Sequence, residues 1–180
     1  MVDTIIQWLN SVIPQELVIV IISALPIVEL RGAIPVGINI FGMPWYWVFL
    51  LTVAGNLLPV PLLVLFFQTL VKYCRRVPYL ARPINFIVRH AEHRSASVEK
   101  YKMLGLIIFV GIPLPWTGAW TASIISSLLG IGFTRAFFAI AAGVVIAAII
   151  VTILCLLGWV GAVIAGVGLL TLAIFGLWKR

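Results

Sequence analysis

The chain has 180 residues, 63% of them hydrophobic and only 9% charged, with a mean hydropathy of +1.22. Soluble domains average about 45–50% apolar and about 25% charged residues, which argues against a soluble enzyme, a nucleic-acid reader and a disordered chain. The net charge of +7 does not restore a nucleic-acid role, because so apolar a chain would aggregate in water.

Residues 3–13 carry Ile5, Ile6, Trp8, Leu9 and Val12 at near-helical spacing. They are too few to span a bilayer, so an interfacial helix is expected, ended by Pro14. Met1-Val2-Asp3 lacks the positive region of a secretory signal, and no cleavage is expected. Residues 16–25 are apolar but cover only about 15 Å at ~1.5 Å per residue, half of a ~30 Å hydrocarbon core. Next comes Pro26-Ile27-Val28-Glu29-Leu30-Arg31-Gly32-Ala33-Ile34-Pro35. Two prolines, a glycine and two opposite charges make a poor continuous span. The expectation is a re-entrant hairpin that enters to mid-depth, breaks near Pro26 and returns by about Gly42. Residues 45–71 form the first full span, with Trp45, Tyr46 and Trp47 at one interface and a kink at Pro59 and Pro61.

Residues 72–102 are a basic loop with a short amphipathic helix expected around 84–102. The second half repeats the plan. An apolar run, 103–112, meets a broken stretch, Pro113-Leu114-Pro115-Trp116-Thr117-Gly118-Ala119. Residues 120–130 return, 133–158 span, and 160–178 span again. The fold class is an all-α polytopic membrane protein with two inverted repeats and an additional C-terminal transmembrane helix. Its single membrane domain divides into the interfacial helix 3–13, repeat 1 at 14–71, the loop 72–102, repeat 2 at 103–158 and the C-terminal helix at 159–180.

Charge sets the expected sidedness. Eight of the twelve basic residues lie in 72–102, and Lys179 and Arg180 end the chain. Cytoplasmic loops carry the excess Lys and Arg, so this loop and the C-terminus are placed in the cytoplasm. Most of those charges read as a solvated loop that touches anionic headgroups at the inner leaflet. Cys74 and Cys155 form neither a disulfide framework nor a metal site. No nucleophile–base arrangement, zinc spacing or P-loop is present, so no enzyme and no cofactor are expected.

A local register supports the repeat. Gly42 precedes Gly55 by the same thirteen positions that separate Gly130 from Gly143. The charge layout gives the copies opposite orientations, and inverted repeats in transporters meet at a midplane site built from broken helices. Broken backbone at membrane depth is tolerated only against protein or a wet cavity. The two tips, Pro26–Gly32 and Pro113–Gly118, are therefore expected to face each other inside the protein.

Glu29 and Arg31 are the sharpest residues. A charge at the bilayer centre costs at least ~2.5–3.5 kcal/mol, so each needs a partner or a cavity. Two residues apart on a regular helix they do not face each other and pair only across a non-helical tip. The structural reading is an ion pair that fixes the hairpin. The functional reading has Glu29 binding a proton or sodium ion and Arg31 holding an anionic group. Gly32 and Gly118 permit close backbone approach. Thr117, Thr121, Ser123, Asn39 and Asn56 add polar groups. Arg135 reads first as an interface anchor and otherwise as a second anion contact. His90 and His93 read as a solvated face. The run 158–170, with Gly161, Ala162, Ala165 and Gly166, reads as close helix packing within the chain or in a homo-oligomer.

The segment Pro26–Pro35 resembles the first signature of the small multidrug export protein family, and Pro113–Trp120 resembles its second. That family is similar to the wider DedA superfamily of membrane proteins. The resemblance covers nearly the whole chain and implies paired re-entrant hairpins and ion-driven transport. Some DedA members are tied to moving polyprenyl-phosphate carrier lipid, and eukaryotic relatives to phospholipid scrambling. By position it implies a substrate site at Glu29, Arg31, Pro113, Pro115, Thr117 and Gly118, to which the close-approach reading adds Gly32. Where the carrier-lipid members tend to have an arginine, this chain has Trp116-Thr117-Gly118.

The expected function is thus a DedA-like transporter in an inner or plasma membrane. It would move an amphipathic or lipid-linked phosphate substrate, with Glu29 as the coupling residue for H+ or Na+ and Arg31 and Arg135 as anion contacts. Its partners are membrane lipids and that substrate, with no nucleic acid. The alternatives are export of amphipathic organic cations and a non-transporting membrane scaffold.

Overall fold

Helix α1, Gln15–Ala24, starts where Pro14 offers its carbonyl to the Leu17 and Val18 N–H groups at 2.9 and 3.2 Å. It stops because Pro26 pushes the preceding Leu25 into extended backbone (φ −72°, ψ 139°). The chain turns through Leu25–Val28 into α2, Glu29–Pro35, followed by a π-helical segment, Val36–Ile40. Pro35 has no N–H to give, and the ladder widens directly after it. The Phe41 N–H bonds the Val36 carbonyl at 3.0 Å, and Gly42 ends the segment in the left-handed region (φ +64°). Helices α1 and α2 pack on one another, and Ile19, Ser23, Leu30, Ala33 and Ile34 of the pair are buried. The helix thus breaks near Pro26, where the sequence predicts a break, and the two helices flanking the break pack together.

These elements come from a computed structural model that describes residues 14–74, 96–114, 117–161, 163 and 166. The interfacial helix expected at 3–13, the segment 84–95, Pro115, Trp116 and most of the last span, 160–178, lie outside the described residues. The described residues fall into two compact units, divided after Gly55 and after Ala147.

Helices α3, Trp45–Leu57, and α4, Val60–Cys74, form one apolar run, Trp45–Tyr73, interrupted at Leu58–Pro59. Its 29 residues reach about 43 Å, more than a ~30 Å hydrocarbon core. The interruption falls at the first of the two prolines that predict it. Helix α5, Ala96–Gly111, leads through a turn to α6, Ala119–Leu128, and then to α7, Phe133–Leu156. The 24 residues of α7 are again long and apolar enough to cross a bilayer. Both long spans begin where the sequence predicts and end within two residues of the predicted ends. The basic stretch 72–102 is helical at both described ends: 72–74 completes α4, and 96–102 opens α5.

In the second unit α6 packs on both α4 and α5. Its buried face is small: Ala119, Ala122, Ser123, Ser126 and Ser127. The serine hydroxyls return to their own helix, Ser123 to the Ala119 carbonyl at 2.7 Å, Ser126 and Ser127 to that of Ser123 at 2.9 and 2.8 Å. So satisfied, they pack as small residues and let helices approach closely. Gln68 of α4 donates from Nε2 to the Ile131 carbonyl at 3.0 Å.

The same local geometry recurs 88 positions apart. Gly42 and Gly130 are both left-handed, each three residues before a span that starts at Trp45 or Phe133. In the first unit a Cβ on Gly55 would stand 2.6 Å from the Val20 carbonyl oxygen of α1; in the second, one on Gly143 would stand 2.9 Å from the Ile107 carbonyl oxygen of α5. Each span thus lies glycine-to-backbone against the first helix of the hairpin before it. Buried positions also match: Val48 with Ala136, Thr52 with Ile140, Asn56 with Val144.

The surface is apolar. Ile27, Leu62 and Trp159 are 86, 73 and 80% exposed, among many exposed large hydrophobic side chains. In water such a surface is an aggregation site, and in a bilayer it faces acyl chains. Together with the two long spans it makes this chain a membrane protein.

Candidate functional site

Glu29 opens α2 with its backbone at φ +50°, the sole non-glycine residue in that region among the described residues. A side chain there costs of order 1–3 kcal/mol, and such strain persists only where the surroundings enforce it. Two hydrogen bonds bracket the position: the Glu29 N–H to the Leu25 carbonyl at 3.1 Å and the Gly32 N–H to the Val28 carbonyl at 3.2 Å. Glu29 is also buried, at 5% exposure. A desolvated carboxylate on a strained backbone costs stability twice, which is the usual mark of a position kept for function.

Arg31 follows two residues later, half-buried. On a regular helix side chains two apart diverge. The left-handed backbone at Glu29 is a departure from helical geometry at the first of the two charged positions. Gly32 is needed for packing, since a Cβ there would collide with a Val28 methyl group.

The second turn is built differently. The Thr117 hydroxyl lies 2.9 Å from the carbonyl oxygens of both Ile112 and Leu114, and the Leu114 N–H donates to it at 3.3 Å. Thr117 thereby laces the turn after α5. Gly118 is buried in extended backbone (φ −91°, ψ −173°) and caps α6, accepting the Ala122 N–H at 3.0 Å. Pro113 is half-buried beside them. Arg135 is exposed in the first turn of α7. Glu29, Arg31 and Gly32 are gathered in the first unit; Pro113, Thr117, Gly118 and Arg135 belong to the second.

The remaining polar candidates separate. Asn39 is exposed on the π segment, and Thr121 is half-buried on α6. Asn56 is 1% exposed, and its side-chain amide has no hydrogen-bond partner among the described residues. The backbone strain at Glu29 escapes sequence reasoning, since glutamate is no turn former and only Pro26, three residues earlier, marks the break.

A family model matches residues 29–150, and that family is described as "Putative small multi-drug export protein". The match begins at Glu29, just after the first turn, and takes in the second turn, the whole first span and the second span as far as residue 150. No curated protein and no solved structure matches the chain.

Proposed function

The chain belongs to the small multi-drug export protein family, and from that premise we propose that it is an ion-coupled membrane transporter for amphipathic molecules, not an enzyme. The observation that carries this reading is Glu29, buried and held in left-handed backbone. An ionisable group within a membrane domain marks a substrate or ion pathway by default. Glu29 takes up and releases a proton or a sodium ion, and that exchange drives the substrate step. The family description favours export of amphipathic organic compounds, with a cationic group paired to Glu29.

A second reading rests on Arg31. A guanidinium suits a lipid-linked phosphate, the substrate type that the resemblance ties to some DedA members. In either case the architecture we propose is a duplicated hairpin-plus-span unit with re-entrant hairpins. The 88-residue recurrence supports duplication, and the positive charge on 72–102 supports opposite insertion of the copies in an inner or plasma membrane.

The test is accumulation of a permeant cationic dye. Cells expressing the protein should accumulate less dye, and Glu29→Gln should restore the level of empty cells. Lipid-phosphate movement in liposomes, lost in Arg31→Ala, would select the second reading. Silence in both assays would remove transport and leave the scaffold.

A further inference from the structure

The second unit holds a cavity of about 280 Å³ where α4 ends and α7 begins, lined by Gln68, Lys72, Ser127, Gly130, Ile131 and Gly132. Its polar inventory is unbalanced. Lys72 supplies an ammonium group, no acidic residue lines the cavity, and Lys72 has no ion-pair partner among the described residues. Lys102 reaches the same turn, its Nζ 3.4 Å from the Leu129 carbonyl oxygen. The Ser127 hydroxyl is committed to the Ser123 carbonyl, and one Gln68 amide hydrogen to that of Ile131, which leaves the other Gln68 donor. Gly130 and Gly132 both face open space where a side chain would stand. The cavity is therefore floored by bare backbone and carries only positive charge. Its lining ends at Gly132, the residue before α7.

We infer that this cavity binds a phosphate group, carried by the headgroup of an anionic lipid or free in solution. Lys72 provides the charge, Gln68 a hydrogen-bond donor, and the glycines the room for the phosphate to lie against the backbone. Lys72 falls at the end of a bilayer-length run, the depth at which a lipid headgroup sits, and it opens the most basic stretch of the chain. Its lining shares no residue with the Glu29–Arg31 turn, and the inference does not depend on transport.

Native mass spectrometry of the full chain in neutral detergent tests it, with phosphatidylglycerol and inorganic phosphate titrated separately. Wild type should retain phosphatidylglycerol over phosphatidylcholine. Lys72→Ala should weaken that retention about fivefold. Gly132→Leu, which fills the cavity without changing charge, should weaken it comparably, while Lys179→Ala removes the same charge elsewhere and should have no effect. Retention of inorganic phosphate alone, with the same variant pattern, identifies the free ion as ligand and sustains the phosphate site. Equal losses in Lys72→Ala and Lys179→Ala, or no loss in a Gly132→Leu protein that still elutes as wild type, overturn it.

Discussion

Gly143 lies directly on Val110: a Cβ at position 143 would stand 2.6 Å from the valine Cβ. Real Cβ atoms do not approach so closely, so the α5–α7 contact exists only because residue 143 has no side chain. Gly143→Ala should therefore destabilise the protein by about 1–3 kcal/mol, the cost of overpacking a fitted contact. Gly55→Ala should cost more, because it meets the Val20 backbone, at 2.6 Å from O and 3.0 Å from Cα, where no side chain can swing away. Gly105→Ala is the control. Position 105 is exposed within α5 with nothing near it, and alanine should hold or raise stability by about 0.5–1 kcal/mol. Thermal unfolding in detergent ranks the three. A Gly143→Ala protein melting with wild type would show the contact to be loose.

Strain at Glu29 gives a second prediction. Glu29→Ala and Glu29→Gly both remove the carboxylate, but only glycine takes φ +50° without steric cost. Glu29→Gly should be more stable than Glu29→Ala by about 1 kcal/mol, read as a higher melting temperature. Both should lose gradient-dependent transport. Glu29→Gln, which keeps the backbone strain and the side-chain volume, should melt near wild type and be equally inactive. If glycine gives no gain over alanine, the left-handed conformation is not imposed by the fold.

The spans and breaks were legible because they follow from composition and from proline. Runs of 24–29 apolar residues are long enough to cross a bilayer, and Pro26 disfavours helix at the preceding Leu25, which is extended. Glu29 and Arg31 were legible as candidates because charge in an apolar segment is costly. What the sequence hides is tertiary. Thr117 reads as a ligand by type, yet its hydroxyl is occupied by the backbone of its own turn. Gln68 and Lys72 give no local signal, since only the fold brings them beside Gly130 and Gly132. Sequence shows that 42 and 55 repeat at 130 and 143, but not that 55 and 143 each touch a hairpin's backbone.

Thr117 can be tested for that structural role. Thr117→Ala deletes the hydroxyl shared by the Ile112 and Leu114 carbonyls and the Leu114 N–H, and it should cost about 0.5–1.5 kcal/mol. Thr117→Ser keeps the hydroxyl and should recover most of that loss. Melting temperatures of the two variants decide the matter. If both match wild type while transport falls in Thr117→Ala, the hydroxyl serves substrate rather than the turn.

The hairpin makes the last prediction. Glu16 near the start of α1 and Asn39 on the π segment are both exposed, with the Leu25–Val28 turn between them. If the chain from 16 to 42 turns back within the bilayer, both lie on one side of the membrane. If it crosses, they lie on opposite sides. Single cysteines at each position, in a chain with Cys74 and Cys155 replaced, should react with a membrane-impermeant maleimide added to intact cells. Ser23→Cys should stay unreactive until the protein is denatured, because Ser23 is 1% exposed, lies against Gly55, and is bonded to the Val20 carbonyl at 2.9 Å. Labelling of Glu16→Cys and Asn39→Cys from opposite faces would replace the hairpin with a crossing. Glu29 and Arg31 would then stand within a full span, and coupling at Glu29 would need a pathway along that span rather than at a turn.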